Sequence, residues 1–453
     1  MCTLTSKYNV AGPRYTSYPT VPYWDNDRFS LQDWKTSLVR SFSESNATEG
    51  ISLYIHLPFC ESMCTFCGCN KRITKNHDVE LPYMKSVLKE FILYNDLFNE
   101  KPIIKQVHLG GGTPTFFSPE HLDTLLNGIF TIGEKAENCE LSFEGHPNNT
   151  TKRHLVTLAN KGFTRVCYGV QDYNDKVQKA INRVQPYENV LIATTMARGA
   201  GYTSVGHDII YGLPFQTQDD VINTINKTIT LRPDRIAFYS YANVPWIKGN
   251  GQRGFADTDL PTASQKSMQY KLGKERLIQA GYIEIGMDHY TLPSDSLYKA
   301  QKNGTIHRNF MGFNDNKTQV TIGLGVSSIS DSWYSFAQNV KNVEDYQKLV
   351  EDGIIPVTKG HILNNEDLII RQHILNLMCQ FKTSWEDKRL YCEELPDILI
   401  KLLELEKDDL VKVYCNSLVV TKKGRAYIRN ICLPFDKHLN LKKPKTQLFS
   451  MTV

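Results

Sequence analysis

Four of the eleven cysteines in this 453-residue chain fall in one short stretch, CESMCTFCGC, as Cys60, Cys64, Cys67 and Cys69. Thiolates this close on one loop offer a set of soft metal ligands. A structural zinc site takes four ligands, commonly as two separated pairs, and no C-x2-C or H-x3-H pair follows downstream. Three thiolates in the spacing C-x3-C-x2-C suit instead a cubane iron-sulfur cluster in which one iron lacks a protein ligand. Such an iron can accept a small chelating ligand through an amino and a carboxylate group, as S-adenosylmethionine offers. The other cysteines (Cys2, Cys139, Cys167, Cys379, Cys392, Cys415, Cys432) are scattered, mostly in apolar contexts such as RVCYGV and LNLMCQF. They are expected to pack as small hydrophobes, without function. An odd, unevenly spread set is not a disulfide framework, and MCTLTSKYNVAGPRYTSYPT has no basic cap followed by an apolar run. A cytoplasmic setting with reduced thiols is therefore expected.

Such a loop needs a scaffold, and the chain alternates strand and helix patterns. Strands are expected at 51–57, 103–109, 139–145, 165–170, 204–211 and 235–242, with helical stretches such as VELPYMKSVLKEFILYNDLF and PEHLDTLLNGIFTIG between them. Alternation of this kind predicts a parallel sheet with right-handed crossovers, either an open doubly wound sheet or a partial barrel. In both, ligands sit beyond the carboxyl ends of the strands. Those positions carry the cysteine loop, GGGTPT (110–115), Glu144, Gln171, Asp208 and Tyr241 to Asn243. The glycines let a backbone approach a ligand closely. The carboxylates can accept from amino or ribose groups, and Arg183 can grip a carboxylate bidentately.

Beyond residue 356 the pattern turns to helix, hairpin, helix, resembling a small winged-helix-like module, expected to pack or close over the barrel. Three parts follow: an N-terminal arm at 1–50, a barrel with its extension at 51–355, and a mainly helical domain at 356–453. With 52 basic against 48 acidic residues and a net charge of +4, the chain gives no reason to expect nucleic acid. Hydrophobic residues at 41% indicate a folded protein, and no apolar run is long enough to span a membrane.

C-x3-C-x2-C directly after the first strand resembles the signature of the radical S-adenosylmethionine superfamily. Within it the chain resembles the oxygen-independent coproporphyrinogen III oxidases, or coproporphyrinogen dehydrogenases, nearly end to end. The resemblance rests on GPRYTSYPT, YIHLPFCESMCTFCGCN, HLGGGTPT, GVQDYN, DIIYGLP, GMDHY, HRNF, GLGVSSIS and KGRAYIRNIC. It implies a partial (β/α)6 TIM-like barrel, with Cys60, Cys64 and Cys67 as ligands of a 4Fe-4S cluster and Cys69 as a non-ligand. It also implies two S-adenosylmethionine molecules. Tyr54, Gly111, Glu144 and Ile329 match positions around the one on the cluster, with Tyr54 and Glu144 implied as catalytic. Phe66, Gly112, Thr113, Gln171, Arg183, Asp208 and Ala242 match positions around the second.

The implied reaction is anaerobic oxidative decarboxylation of two propionates of coproporphyrinogen III through a 5'-deoxyadenosyl radical, giving protoporphyrinogen IX in haem synthesis. An electron donor such as a flavodoxin or ferredoxin, and a monomeric state, are implied with it. The rival expectations are a sister enzyme acting on another tetrapyrrole, by haem cleavage or methyl transfer, and a non-catalytic haem carrier. Arg14 and Arg308 are candidates to pair with propionates, whereas His56, His289 and His307 read as structural. The chain departs from the family's pattern in Glu144-Gly-His146-Pro147 and at Met311.

Overall fold

The computed structural model describes residues 4–244, 252–444 and 446–452, so Cys2 and Lys445 of the basic tail lie outside the described residues. Six parallel strands form its centre: β1 (Ile51–Leu57), β2 (Ile103–Gly111), β3 (Glu134–Gly145), β4 (Arg165–Gln171), β5 (Ser204–Tyr211) and β6 (Arg235–Ser240). They lie side by side in chain order, each paired in parallel with the next. This is the parallel sheet that the strand and helix alternation predicts, in the partial (β/α)6 barrel form that the resemblance implies. ISLYIHL is buried along almost its whole length, as a parallel strand covered on both faces must be.

Two flanks keep the barrel from closing. Beyond β6 lie the antiparallel strands β7 (Ile283–Gly286) and β8 (His289–Thr291). A separate ribbon pairs β9 (His307–Asn309) with β10 (Gly312–Asn314). On the other side β11 (Val320–Leu324) pairs in parallel with β1, followed by β12 (Ile329–Asp331), β13 (Ser335–Asn339) and β14 (Val357–Ile362). The main sheet therefore runs on to Ile362, past the boundary expected at residue 355. VTKGHI pairs with β13, with one register shift that leaves Thr358 unpaired, although its alternation of apolar and polar residues is too weak to announce a strand.

The helices that cover the sheet begin where their caps say they should. Ser118 accepts from His121 N at the start of Pro119–Ile132, and Thr217 and Asp220 form a capping box at the start of Gln218–Leu231. The main core lies between these helices and the sheet, and it includes Trp34, Leu38 and Phe42 of α1 (Leu31–Ser45). A second core joins Tyr8, Tyr15 and Tyr18 to Ile374, Leu377, Leu402, Ile431 and Phe435. The segment expected as one arm is thus divided, its first part packed on the C-terminal module and its helix on the barrel.

In that module the helices Asn365–Gln380 and Leu395–Lys407 flank a three-stranded sheet of β15 (Lys382–Ser384), β16 (Val411–Tyr414) and β17 (Ser417–Val420). Arg429 fastens the parts together, donating from Nε to Pro13 O at 2.9 Å, from Nη1 to Met451 O at 2.9 Å and from Nη2 to Gly12 O. No helix among the described residues is long and apolar enough to cross a membrane.

Candidate active site

The cysteine loop leaves the carboxyl end of β1 and is pinched shut at its base. Phe59–Cys60 pairs with Arg72–Ile73, with Arg72 N on Pro58 O at 2.8 Å and Thr74 N on Cys60 O at 2.9 Å. Its outer part docks on the turn before Arg183: Thr65 N donates to Ile181 O at 2.8 Å and Asn182 Nδ2 to Met63 O at 2.7 Å. Cys60, Cys64 and Cys67 then line one cavity of about 280 Å³ together with Phe66, Gly112, Thr113 and Arg183. All three are free thiols.

The surroundings suit thiolate ligands. Arg183 Nη1 lies 3.8 Å from Cys64 Sγ, and Thr113 Oγ1 donates to Cys60 Sγ at 3.3 Å. Lys71 Nζ donates to Cys67 O at 3.1 Å and Cys69 O at 3.3 Å, placing a second cation beside the loop. A hydrogen bond from the Cys69 thiol, then the charges of Lys71 and Arg183, hold the Cys67 thiol below its ordinary range. Cys69 therefore favours the thiolate form of its neighbour Cys67. Burial pushes Cys60 the other way, up to about 11, a cost that a bound metal would offset.

The three glycines at the end of β2, Gly110 to Gly112, each meet a different obstacle. A Cβ at Gly112 would lie 2.5 Å from Pro58 O and 3.0 Å from Cys60 Sγ, so any side chain there would push into the cysteine loop. Gly111 has φ of 116°, which favours glycine, and its N–H donates to Glu144 Oε2 at 3.3 Å. A Cβ at Gly110 would meet Tyr54 at 2.9 Å and Glu144 Oε1 at 3.2 Å, which places these two side chains on either side of it. The Tyr54 hydroxyl is oriented in turn. His56 Nε2 lies 2.9 Å from Asn70 O, which can only accept, so Nδ1 is left to accept from the Tyr54 hydroxyl at 3.1 Å.

Inside the barrel a second cavity of about 150 Å³ is lined by Glu144, Asp208, His108, Cys167 and Met311. Glu144 is about half-exposed, with His108 Nε2 at 3.6 Å. Asp208 is pushed up to about 6 by burial. Below them Arg165 pairs with Glu140, and Arg235 Nε with Asp295 at 2.9 Å.

Five expected residues stand outside both cavity linings: Tyr54 and Gly111, which pack around Gly110 and Glu144, and Gln171, Ala242 and Ile329. Gln171 is buried beside Arg183, with φ of 68° and an unpartnered Oε1. A side chain held in this region marks stored strain, often at a functional site. Ala242 follows β6 and accepts from Gln252 Nε2 at 2.7 Å. Ile329 packs toward the Trp24 and Phe336 cluster, its carbonyl covering Gly323, the partner of Tyr54 in register. Cys167, Lys71 and Arg165 are the additions to the expected set. Only the inward phase of the alternating β4 pattern marks Cys167 and Arg165 in the sequence. Met311 and His146, the two departures, line the barrel cavity and the cysteine cavity respectively.

Comparison with known proteins identifies what the chain as a whole resembles. Residues 54–228 match the model of the radical SAM superfamily. The chain is 37% identical over 459 residues to the oxygen-independent coproporphyrinogen III oxidase of Synechocystis sp., covering 99% of this chain and 97% of that protein. It is 36% identical to the Escherichia coli protein of the same name, covering 99% and 98%. The solved structure of coproporphyrinogen III oxidase (HemN) from Escherichia coli, described as a radical SAM enzyme, superposes with a TM-score of 0.88 at 35% identity. That match covers 94% of this chain and 98% of that one.

Proposed function

The chain belongs to the oxygen-independent coproporphyrinogen III oxidase family of radical SAM enzymes, and from that premise we propose how its residues divide the work. The reaction is the oxidative decarboxylation of coproporphyrinogen III in haem biosynthesis. One observation carries the assignment: the thiols of Cys60, Cys64 and Cys67 converge on one cavity, at the end of the barrel where Glu144 closes β3.

Cys60, Cys64 and Cys67 would hold a 4Fe-4S cluster, with Cys69 as a supporting thiol. Bound together, that cluster and S-adenosylmethionine supply the carbon-centred radical that takes hydrogen from a propionate. Tyr54 and Glu144 flank Gly110 and would orient the cofactor's amino end. Glu144 is steadied by the Gly111 N–H, and Ile329 supports this side through Gly323. Phe66, Gly112, Thr113, Gln171, Arg183, Asp208 and Ala242 would hold a second S-adenosylmethionine. Burial keeps the Tyr54 hydroxyl protonated well beyond neutral pH, so it acts as a hydrogen-bond donor.

The barrel walls would exclude water from the reacting centre, and the arm and the C-terminal module, joined through Arg429, would shield its mouth. We assign the arm, the barrel and the C-terminal module as three units. A one-electron donor of flavodoxin or ferredoxin type, a monomeric state and a cytoplasmic location complete the proposal. Anaerobic turnover of coproporphyrinogen III by the reconstituted protein tests it.

A further inference from the structure

A third cavity, of about 100 Å³, opens where the arm, the barrel rim and the C-terminal module meet. Its lining holds four cations, Arg14, Lys266, Arg425 and Arg429, against a single carboxylate, Asp288. Arg14 uses that carboxylate, with Nη1 on Asp288 Oδ2 at 3.0 Å. The others have only neutral partners among the described residues. Lys266 Nζ donates to Tyr241 O at 3.3 Å, and Arg429 donates to the backbone carbonyls of the arm and tail. The Arg425 guanidinium lies 4.4 Å from the Phe381 ring centre, its Nε buried without a hydrogen-bond partner. Just outside the lining, the buried Arg308 lends one N–H to Arg14 O at 3.3 Å and leaves Nε and Nη1 unpartnered.

Cations drawn partly out of water with one carboxylate among them carry a desolvation cost. Burial, with repulsion from Arg14 and Arg429, lowers Lys266 to about 8. An anion entering the cavity would relieve that cost. The cavity sits at the carboxyl ends of β5 and β6, where Tyr211 and Ser240 line it. Asp208 stands on the same β5 strand and faces the barrel cavity. The volume suits a carboxylate-bearing side arm.

We propose that this cavity anchors a propionate carboxylate of the tetrapyrrole, one that is retained while others react at the barrel centre. This assignment rests on the proposed reaction. Two sources could supply such a carboxylate, the tetrapyrrole or the methionine end of S-adenosylmethionine, and the test separates them.

Lys266→Met and Arg425→Met remove charge without touching the Arg429 clamp. Fluorescence titration with coproporphyrin III, the oxidised and emissive form of the substrate, is expected to show at least tenfold weaker binding by each variant. The KM for coproporphyrinogen III should rise in parallel, with the KM for S-adenosylmethionine, the cluster absorbance and the melting temperature unchanged. Lys266→Arg should restore binding. Unaltered porphyrin affinity in both variants, or a rise confined to the KM for S-adenosylmethionine, would overturn the anchor. A lower melting temperature without weaker binding would also overturn it, by showing a structural role. Wild-type protein that forms no vinyl product would instead defeat the reaction itself, independently of the variants.

Discussion

The thiol of Cys167 donates to Asp208 Oδ1 at 3.2 Å, across the β4 and β5 pair and inside the barrel. Burial raises the Asp208 carboxyl to about 6; the Cys167 hydrogen bond and the charge of Arg183 hold it down, while Glu144 pushes it up. Below about pH 6 Asp208 is therefore neutral and loses its strength as an acceptor. Binding of S-adenosylmethionine should weaken several-fold as pH falls from 7 to 5. In Cys167→Ala the midpoint should move to higher pH. Calorimetric titration across this range checks both, and a flat profile in wild type contradicts the placement of Asp208 at the cofactor.

The ligand set makes a sharper demand. Cys64→Ala, reconstituted anaerobically, should lose the broad visible absorbance of the cluster, whereas Cys69→Ala should keep it with a more labile cluster. Cys415→Ala, which alters an exposed thiol on the module's hairpin, should match wild type. Full cluster absorbance in Cys64→Ala would refute its role as a ligand.

Gly112→Ala tests the cradle without removing any functional side chain. Its new methyl would meet Pro58 O at 2.5 Å, a backbone atom that cannot swing away. The protein should fold, with iron content and activity reduced at least tenfold. Iron analysis beside circular dichroism separates this outcome from unfolding.

Glu90 carries a stability prediction remote from the site. Its carboxyl is fully buried, accepting from Gly325 N at 2.8 Å, the Tyr346 hydroxyl at 2.6 Å and Asn339 Nδ2 at 2.6 Å. Burial raises it from 4.5 to about 7 despite these bonds. The folded protein thus keeps a proton that the unfolded chain releases, so stability is full below about pH 4.5 and falls as pH rises toward 7, by about 3 kcal/mol in total. Glu90→Gln should remove this slope and gain on wild type above pH 7. Denaturant titrations at pH 5 and pH 8 measure it, and an equal pH dependence in both proteins contradicts it.

Much of this is legible in the residues alone, and the exceptions have physical causes. The six barrel strands announce themselves because parallel strands buried on both faces read as apolar runs, as ISLYIHL does. The cysteine loop is legible because its spacing is itself the chemistry. Strand β14 is not, since the register it forms with β13 comes from tertiary pairing of VTKGHI. Cys167 is hidden because a thiol on an apolar strand reads the same whether it faces helices or a carboxylate. The cation cavity is hidden more deeply, since Arg14, Lys266 and Arg425 are brought together only when the arm folds across to the C-terminal module.

The central claim is that the Cys60, Cys64 and Cys67 cavity initiates decarboxylation of coproporphyrinogen III, and anaerobic incubation tests it most directly. The reconstituted protein, given a one-electron donor, a one-electron acceptor for the electron released with carbon dioxide, S-adenosylmethionine and coproporphyrinogen III, should yield 5'-deoxyadenosine, carbon dioxide and protoporphyrinogen IX, with all three absent in Cys64→Ala. An intact cluster that yields neither 5'-deoxyadenosine nor a vinyl product would contradict the account.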